Sequence, residues 1–194
     1  DFGVGWWMVS FPQPERGCWE PVGRRHIDGS HFAHTATLRE IGLILLILFN
    51  DVEADCGGTA LFPGSHALVS RTLASMSLCH GFRGVKSFTL VQETLRRFPN
   101  ACSKVEQAKG KAGTVYVIHP HLVHSRSANL SRLSTRGVRY LALPSVPLAA
   151  PLRWGGGAAD AGYDDEDDDP CALRVSMRRA YRRAKAVRSR NKRR

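Results

Sequence analysis

Apolar residues in this chain come in short bursts separated by glycine, proline and asparagine, and few repeat at helical spacing. Val4 to Phe11 is aromatic and β-branched, stops at Pro12, and predicts a strand. Arg24 to Asp28 predicts the end of a short strand that turns at Gly29-Ser30. Within Leu38 to Val52, the run Ile41 to Phe49 is isoleucine or leucine at seven of nine positions. Its length and its stop at Asn50-Asp51 favour a strand buried on both faces over a helix. Thr59 to Phe62 (closed by Pro63-Gly64), Thr114 to Ile118 (broken by Pro120) and Thr135 to Leu143 (stopped by Pro144) predict three more strands. Ser65 to Leu78 reads as loop and then weak helix, and Val91 to Phe98 as a helical turn before Pro99-Asn100. No internal repeat is present.

Short strands with this punctuation predict a mainly β fold, an antiparallel barrel or jelly roll with a few short helices, over residues 1–150. Beyond Pro144 the pattern fades. Gly155 to Gly157 is linker-like, Asp164 to Asp169 is an unbroken acidic run, and the arginine-rich end has few large apolar residues. Residues 151–194 are therefore expected to form a disordered tail.

Composition narrows the picture. At 194 residues the chain holds one domain with some length to spare, and 43% hydrophobic residues exclude a wholly disordered or collagen-like chain. The net charge of +11 invites a nucleic-acid reading, but it is unevenly placed. Residues 171–194 carry eleven Lys/Arg and no acid, whereas residues 1–150 carry only +6. Nucleic acid, or another acidic partner, is thus expected only through the basic tail, where Arg174, Arg178, Arg179, Arg182, Arg183 and Arg188 approach helical spacing. Asn191 to Arg194 also reads as a nuclear-localisation pattern.

Five scattered cysteines without a CxxC pair argue against a disulfide framework and for a reducing, intracellular compartment, cytoplasmic or nuclear. The longest apolar run is nine residues, against about 20 for a spanning helix, and no secretory leader pattern opens the chain. The chain starts at Asp1 and runs directly into a strand, so upstream elements of the domain are expected to be missing.

Three groups of residues could do chemistry. His26 and Asp28 are two apart, and on a strand both side chains reach one side and one metal ion. His119, His121 and His124 follow the Thr114–Ile118 strand and could supply a further ligand from a neighbouring strand. Gly57 to His66 contains the glycines and proline of a tight strand–turn approach, in which His66 is expected to be structural. Two histidines and one carboxylate on one ion leave positions open for a co-substrate and oxygen, which suits Fe(II); zinc is the second choice, in a non-catalytic or cupin-type module.

The ordered set His26-x-Asp28, then Asp51-Val52 through Cys56-Gly-Gly-Thr-Ala-x-Phe-Pro-Gly-Ser-His66, then Gly113-Thr-Val-x-x-x-His119-Pro-x-x-x-His124-Ser-x-Ser127-x-Asn129, then Arg136, resembles the phytanoyl-CoA dioxygenase family over roughly residues 5–145. That resemblance implies a double-stranded β-helix (cupin-like jelly roll). It also implies an Fe(II)- and 2-oxoglutarate-dependent oxygenase that releases succinate and CO2. Position by position, it makes His26, Asp28 and His124 the metal ligands, with His121 the competitor for the last place. Arg136 then holds the far carboxylate of 2-oxoglutarate, and Ser127 helps bind that co-substrate. Arg139, three residues on, is expected to face outward. The carboxylate at position 28, which halogenating relatives replace with glycine or alanine, favours hydroxylation of an unactivated C–H bond in a small-molecule or lipid-like substrate. Trp6, Trp7 and Met8 are candidates to line the pocket. The chain departs from the pattern in three places: Arg126 stands where some members carry serine, the Ile41–Phe49 strand lacks tryptophan, and the N-terminal helices are curtailed.

Overall fold

A computed structural model describes residues 7–13, 15, 17–37, 39–131, 137–152 and 171–192. Nine strands and three α-helices follow in order: β1 Trp7–Ser10, β2 Pro21–His26, β3 Leu43–Leu48, β4 Ala60–Leu61, α1 Ser65–Ser77, α2 Ser87–Arg97, β5 Glu106–Gln107, β6 Val115–Ile118, β7 His124–Ser127, β8 Arg139–Ala142, β9 Ser145–Val146 and α3 Ala172–Lys192. A 3-10 turn at Pro99–Cys102 follows α2. The strands form two antiparallel sheets, β1-β8-β3-β6 with β9 also on β3, and β2-β7-β4-β5. This is the mainly β, jelly-roll architecture expected.

The core between the sheets follows from strand alternation. Ile44, Leu46 and Leu48 of β3 are fully buried and pack with Ile118, Leu141 and Leu143, and with Met8, Leu61 and Leu122. The alternate residues Leu43, Leu45 and Ile47 are only half-buried. β3 is therefore shorter than the apolar run and buried on one face, not two. The other face of this sheet also leaves Val9, Val115, Val117 and Tyr140 exposed.

A second core joins the helices to the ends of the β2-β7-β4 sheet. Ile27, Phe62 and Val123 pack there with Val69 and Leu73 of α1, Leu90 and Val91 of α2, and Leu173, Met177 and Ala180 of α3. Both early helices are longer than the sequence pattern shows. α1 starts at once after Gly64, whose φ of 84 suits glycine. Its buried face includes Ser65, Ser70 and Thr72, and these polar residues hide the apolar stripe of Val69 and Leu73. Their hydroxyls are satisfied, that of Thr72 within the helix and those of Ser65 and Ser70 by the segment that carries Val123 and His121. Thr72 Oγ1 donates to the Leu68 carbonyl at 3.0 Å, and the Val123 N–H donates to Ser65 Oγ at 2.9 Å. In α2, Thr94 does the same by donating to the Leu90 carbonyl.

Over residues 172–192 the arginine-rich end forms helix α3, packed on α1. Leu173, Met177, Ala180 and Ala184, at spacings of four, three and four, are all buried. Alanine supplies half of this stripe, so a count of large apolar residues misses it. The Gly-rich and acidic segments lie outside the described residues.

Candidate metal centre

β2 and β7 are antiparallel neighbours, with His26 directly opposite His124. Between the Val22–Arg126 and His26–His124 pairs, three residues of β2 run against one of β7, a bulge that includes Gly23 at φ 77. Such irregularities re-aim side chains at the end of a ladder. The buried Ile27 anchors the next residue into the helical core, so His26 and Asp28 flank it on the opposite side. Gly29 then turns the chain at φ 89, where a Cβ would lie 2.3 Å from the Phe32 ring.

The result is that one donor atom from each of His26, Asp28 and His124 lies within 4.8 Å of the others. The His26 and His124 rings are 4.5 Å apart between centroids. Each ring is oriented by its other nitrogen: His26 Nδ1–H donates to the Arg24 carbonyl at 2.9 Å, and His124 Nδ1–H to the Leu122 carbonyl at 3.0 Å. A carbonyl only accepts, so these bonds leave both Nε2 lone pairs for the centre. His124 Nε2 is buried with no hydrogen-bond partner and stands 3.3 Å from Asp28 Oδ1. An orphaned ring nitrogen facing a carboxylate and a second imidazole is a donor set that fits a divalent metal.

The electrostatics agree. Burial raises the Asp28 carboxyl pKa, but the close contact and charge of His124, with the charges of His26 and His34, outweigh it and hold Asp28 below its ordinary value. Burial lowers His124, yet the Asp28 carboxylate reverses the sign and raises it. His26 is lowered, first by burial and then by the neighbouring His124. The phenyl ring of Phe88, the second residue of α2, is 5.9 Å from the His26 ring.

The structure separates the competing residues. His121 is buried away from the centre, with Nδ1 2.8 Å from Ser70 Oγ of α1. Burial, with His119, His34 and His66 around it, pushes its pKa well down. His119 faces α3, with Nε2 3.0 Å from Ser176 Oγ, and the His66 ring lies 4.9 Å from that of His119. Trp7 is 58% exposed and stacks on Phe49 at 4.5 Å, so it does not line the space between the sheets; Met8 does face the core. Trp6 lies outside the described residues.

Two expectations about 2-oxoglutarate change. Ser127 is buried, and its hydroxyl donates to the Gly58 carbonyl at 2.5 Å. That donor is spent inside the protein. By strand alternation Ser127 also lies on the face of β7 opposite His124, and its place is as a strut against the Gly57-Gly58 turn. Arg136 lies outside the described residues. Arg139, expected to face outward, is only 2% exposed.

The outward expectation counted alternation from Arg136, whereas β8 begins at Arg139 and shares its inward face with the buried Leu141. Arg139 Nε has no hydrogen-bond partner, and Nη1 reaches Thr59 Oγ1 only at 3.4 Å. Burial, together with the charge of Arg126, pulls its pKa down to about 10. A buried guanidinium with no counter-charge among the described residues is costly, and it fits the carboxylate of a bound organic acid.

Comparison with known proteins adds the family. The model described as phytanoyl-CoA dioxygenase matches residues 6–137. Among solved structures, the chain is similar to the non-heme α-ketoglutarate-dependent carbocyclase SnoK from nogalamycin biosynthesis, with 20% identity and a TM-score of 0.47, over 80% of this chain and 53% of that one. It is similar also to EctD from S. alaskensis, in its apo form (20% identity, TM-score 0.35, 67% of this chain and 42% of that one). With 2-oxoglutarate and 5-hydroxyectoine, EctD matches at 21% identity and a TM-score of 0.35, over 67% of this chain and 41% of that one. The chain spans about half the length of these structures. No curated protein sequence matches it significantly.

Proposed function

The chain belongs to the phytanoyl-CoA dioxygenase family, and from that premise we propose that it is an Fe(II)- and 2-oxoglutarate-dependent dioxygenase hydroxylating an unactivated C–H bond of a small-molecule or lipid-like substrate. The observation that carries the reading is the convergence of His26, Asp28 and His124 donor atoms within 4.8 Å at the mouth of one strand pair.

His26 and His124 would hold the metal through Nε2, the nitrogen that carries the lone pair in each neutral ring when a carbonyl accepts its Nδ1–H. Asp28 would supply the negative charge, already favoured by its lowered pKa. Three protein ligands leave the remaining positions of an octahedral ion open. Arg139 would pair the far carboxylate of 2-oxoglutarate, and that carboxylate would relieve a buried, unpaired cation. Bound together, iron, 2-oxoglutarate and O2 supply an oxidation in which the keto acid loses CO2 to become succinate and the second oxygen atom goes to the substrate. Phe88 packs beside the His26 ring, 5.9 Å between centroids, while Ile27 anchors the chain between the two ligands in the helical core. Among the described residues no helix is long and apolar enough to cross a membrane.

The test is iron-dependent succinate release from 2-oxoglutarate by the purified chain, beside His26→Ala and Asp28→Ala. The expected result is turnover by the wild type and a loss of at least about 100-fold in each variant. An iron-loaded wild type that consumes no 2-oxoglutarate, or variants that keep its rate, would sink the reading.

A further inference from the structure

Away from the metal centre, α1, α3 and the end of α2 enclose a cleft of about 530 Å³. Its polar lining is mainly three arginines, one from each helix: Arg71, Arg97 and Arg188. Leu78, Phe98 and Val187 give it an apolar floor. Among the described residues no carboxylate lines it, and the one acid touching a lining arginine is Glu93, which sits 2.6 Å from Arg97 and is shared with Arg96. Arg71 stands over the Phe98 ring at 5.1 Å, and Arg188 donates to the Leu78 carbonyl. Neither Arg71 nor Arg188 has a carboxylate partner among the described residues.

We propose that this cleft binds an amphipathic organic anion, a carboxylate or phosphate monoester carried on an apolar body. Guanidinium groups from separate helices repel one another unless an anion joins them, and their planar forks match carboxylate and phosphate oxygens. The floor of Phe98, Leu78 and Val187 supplies burial for an alkyl or aromatic body, which inorganic anions lack. The volume suits a small molecule rather than a protein segment. The packing of α3 makes the site, because Val187 and Arg188 reach it only when the Leu173–Ala184 stripe is docked on α1. It is separate from the metal centre: Phe88 beside His26 and Arg97 in the cleft are nine residues apart on α2, about 14 Å along the helix axis.

The experiment is calorimetric titration of the full chain with octanoate and with octyl phosphate, beside octanol and inorganic phosphate as the body and the head alone. Saturable one-to-one binding of an octyl anion, at least tenfold tighter than either octanol or inorganic phosphate, is expected. The tighter of the two octyl anions identifies the head group. Arg188→Gln and Val187→Glu both change exposed helix positions that leave the packed stripe intact. Each is expected to weaken binding at least tenfold with an unchanged circular dichroism spectrum and Tm. Octanol or inorganic phosphate binding as tightly as the octyl anions, or an affinity untouched by both substitutions, would overturn the proposal.

Discussion

His124 Nε2 lies 3.3 Å from Asp28 Oδ1, so in the metal-free protein two of the three candidate ligands are each other's partners. The pair lowers the pKa of Asp28 from its ordinary 3.8, against the opposing effect of burial, and raises that of His124 from its ordinary 6.5. The stabilisation from Asp28 is present above pH 3.8 and is lost as pH falls through its lowered pKa. That from His124 is complete below pH 6.5 and is lost as pH rises through its raised one. In chelator, Tm is expected to gain from the pair between about pH 4 and 6.5, and Asp28→Asn should remove that gain. A Tm difference between wild type and Asp28→Asn that is the same at pH 5 and pH 9 would contradict the pairing.

Arg139 makes a prediction in which activity and stability part company. Arg139→Met removes a buried cation with an unpartnered Nε and replaces it with an apolar side chain. Thermal stability is expected to hold or rise, by about 1 kcal/mol or more, while the KM for 2-oxoglutarate rises at least tenfold and metal affinity is unchanged. A variant that unfolds, or one with an unaltered KM, would remove Arg139 from the co-substrate site.

Gly29 tests the turn that presents Asp28. Its φ of 89 and the 2.3 Å approach of a Cβ to the Phe32 ring make Gly29→Ala strained in two ways. The expected cost is about 1–3 kcal/mol, with a fall in Co(II) affinity read from its visible absorption. Phe32→Ala in the same background should recover part of both, because it removes the clash but not the φ strain.

The α3 helix separates a packed element from a loose tail. Met177 is 1% exposed, and Met177→Ala is expected to cost about 2–5 kcal/mol in denaturant unfolding. Arg190→Ala, on the exposed side, should fall within about 0.5 kcal/mol. Equal effects from the two substitutions would return residues 172–192 to a tail without a fixed partner.

Much of the metal centre was legible because its chemistry is local. His26 and Asp28 are two residues apart, and the His-Pro segment fixes His124 relative to Ser127 and Asn129. Asn129 itself is a tertiary tie, its amide donating to the carbonyls of Ser10 and Gly137. What the sequence hid was tertiary. Arg139 is inward because β8 starts there, and strand phase cannot be counted through the residues before it. α1 carries serine and threonine on its buried face, where His121 and backbone groups satisfy them, so hydropathy alone understates it. α3 buries alanines, whose contribution depends on a partner helix that composition does not reveal.

The pairing of His26 with His124 also gives the metal seat a mechanical meaning. The two ligands come from strands separated by most of the folded domain, and they meet only because β2 lies beside β7. An ion held by both is a removable cross-link closing a loop of about 100 residues, for which a permanent closure restricts the unfolded chain by about 4–5 kcal/mol. Loading and chelation would then tune the rigidity of the whole sandwich, and the cofactor would become part of what keeps the chain folded.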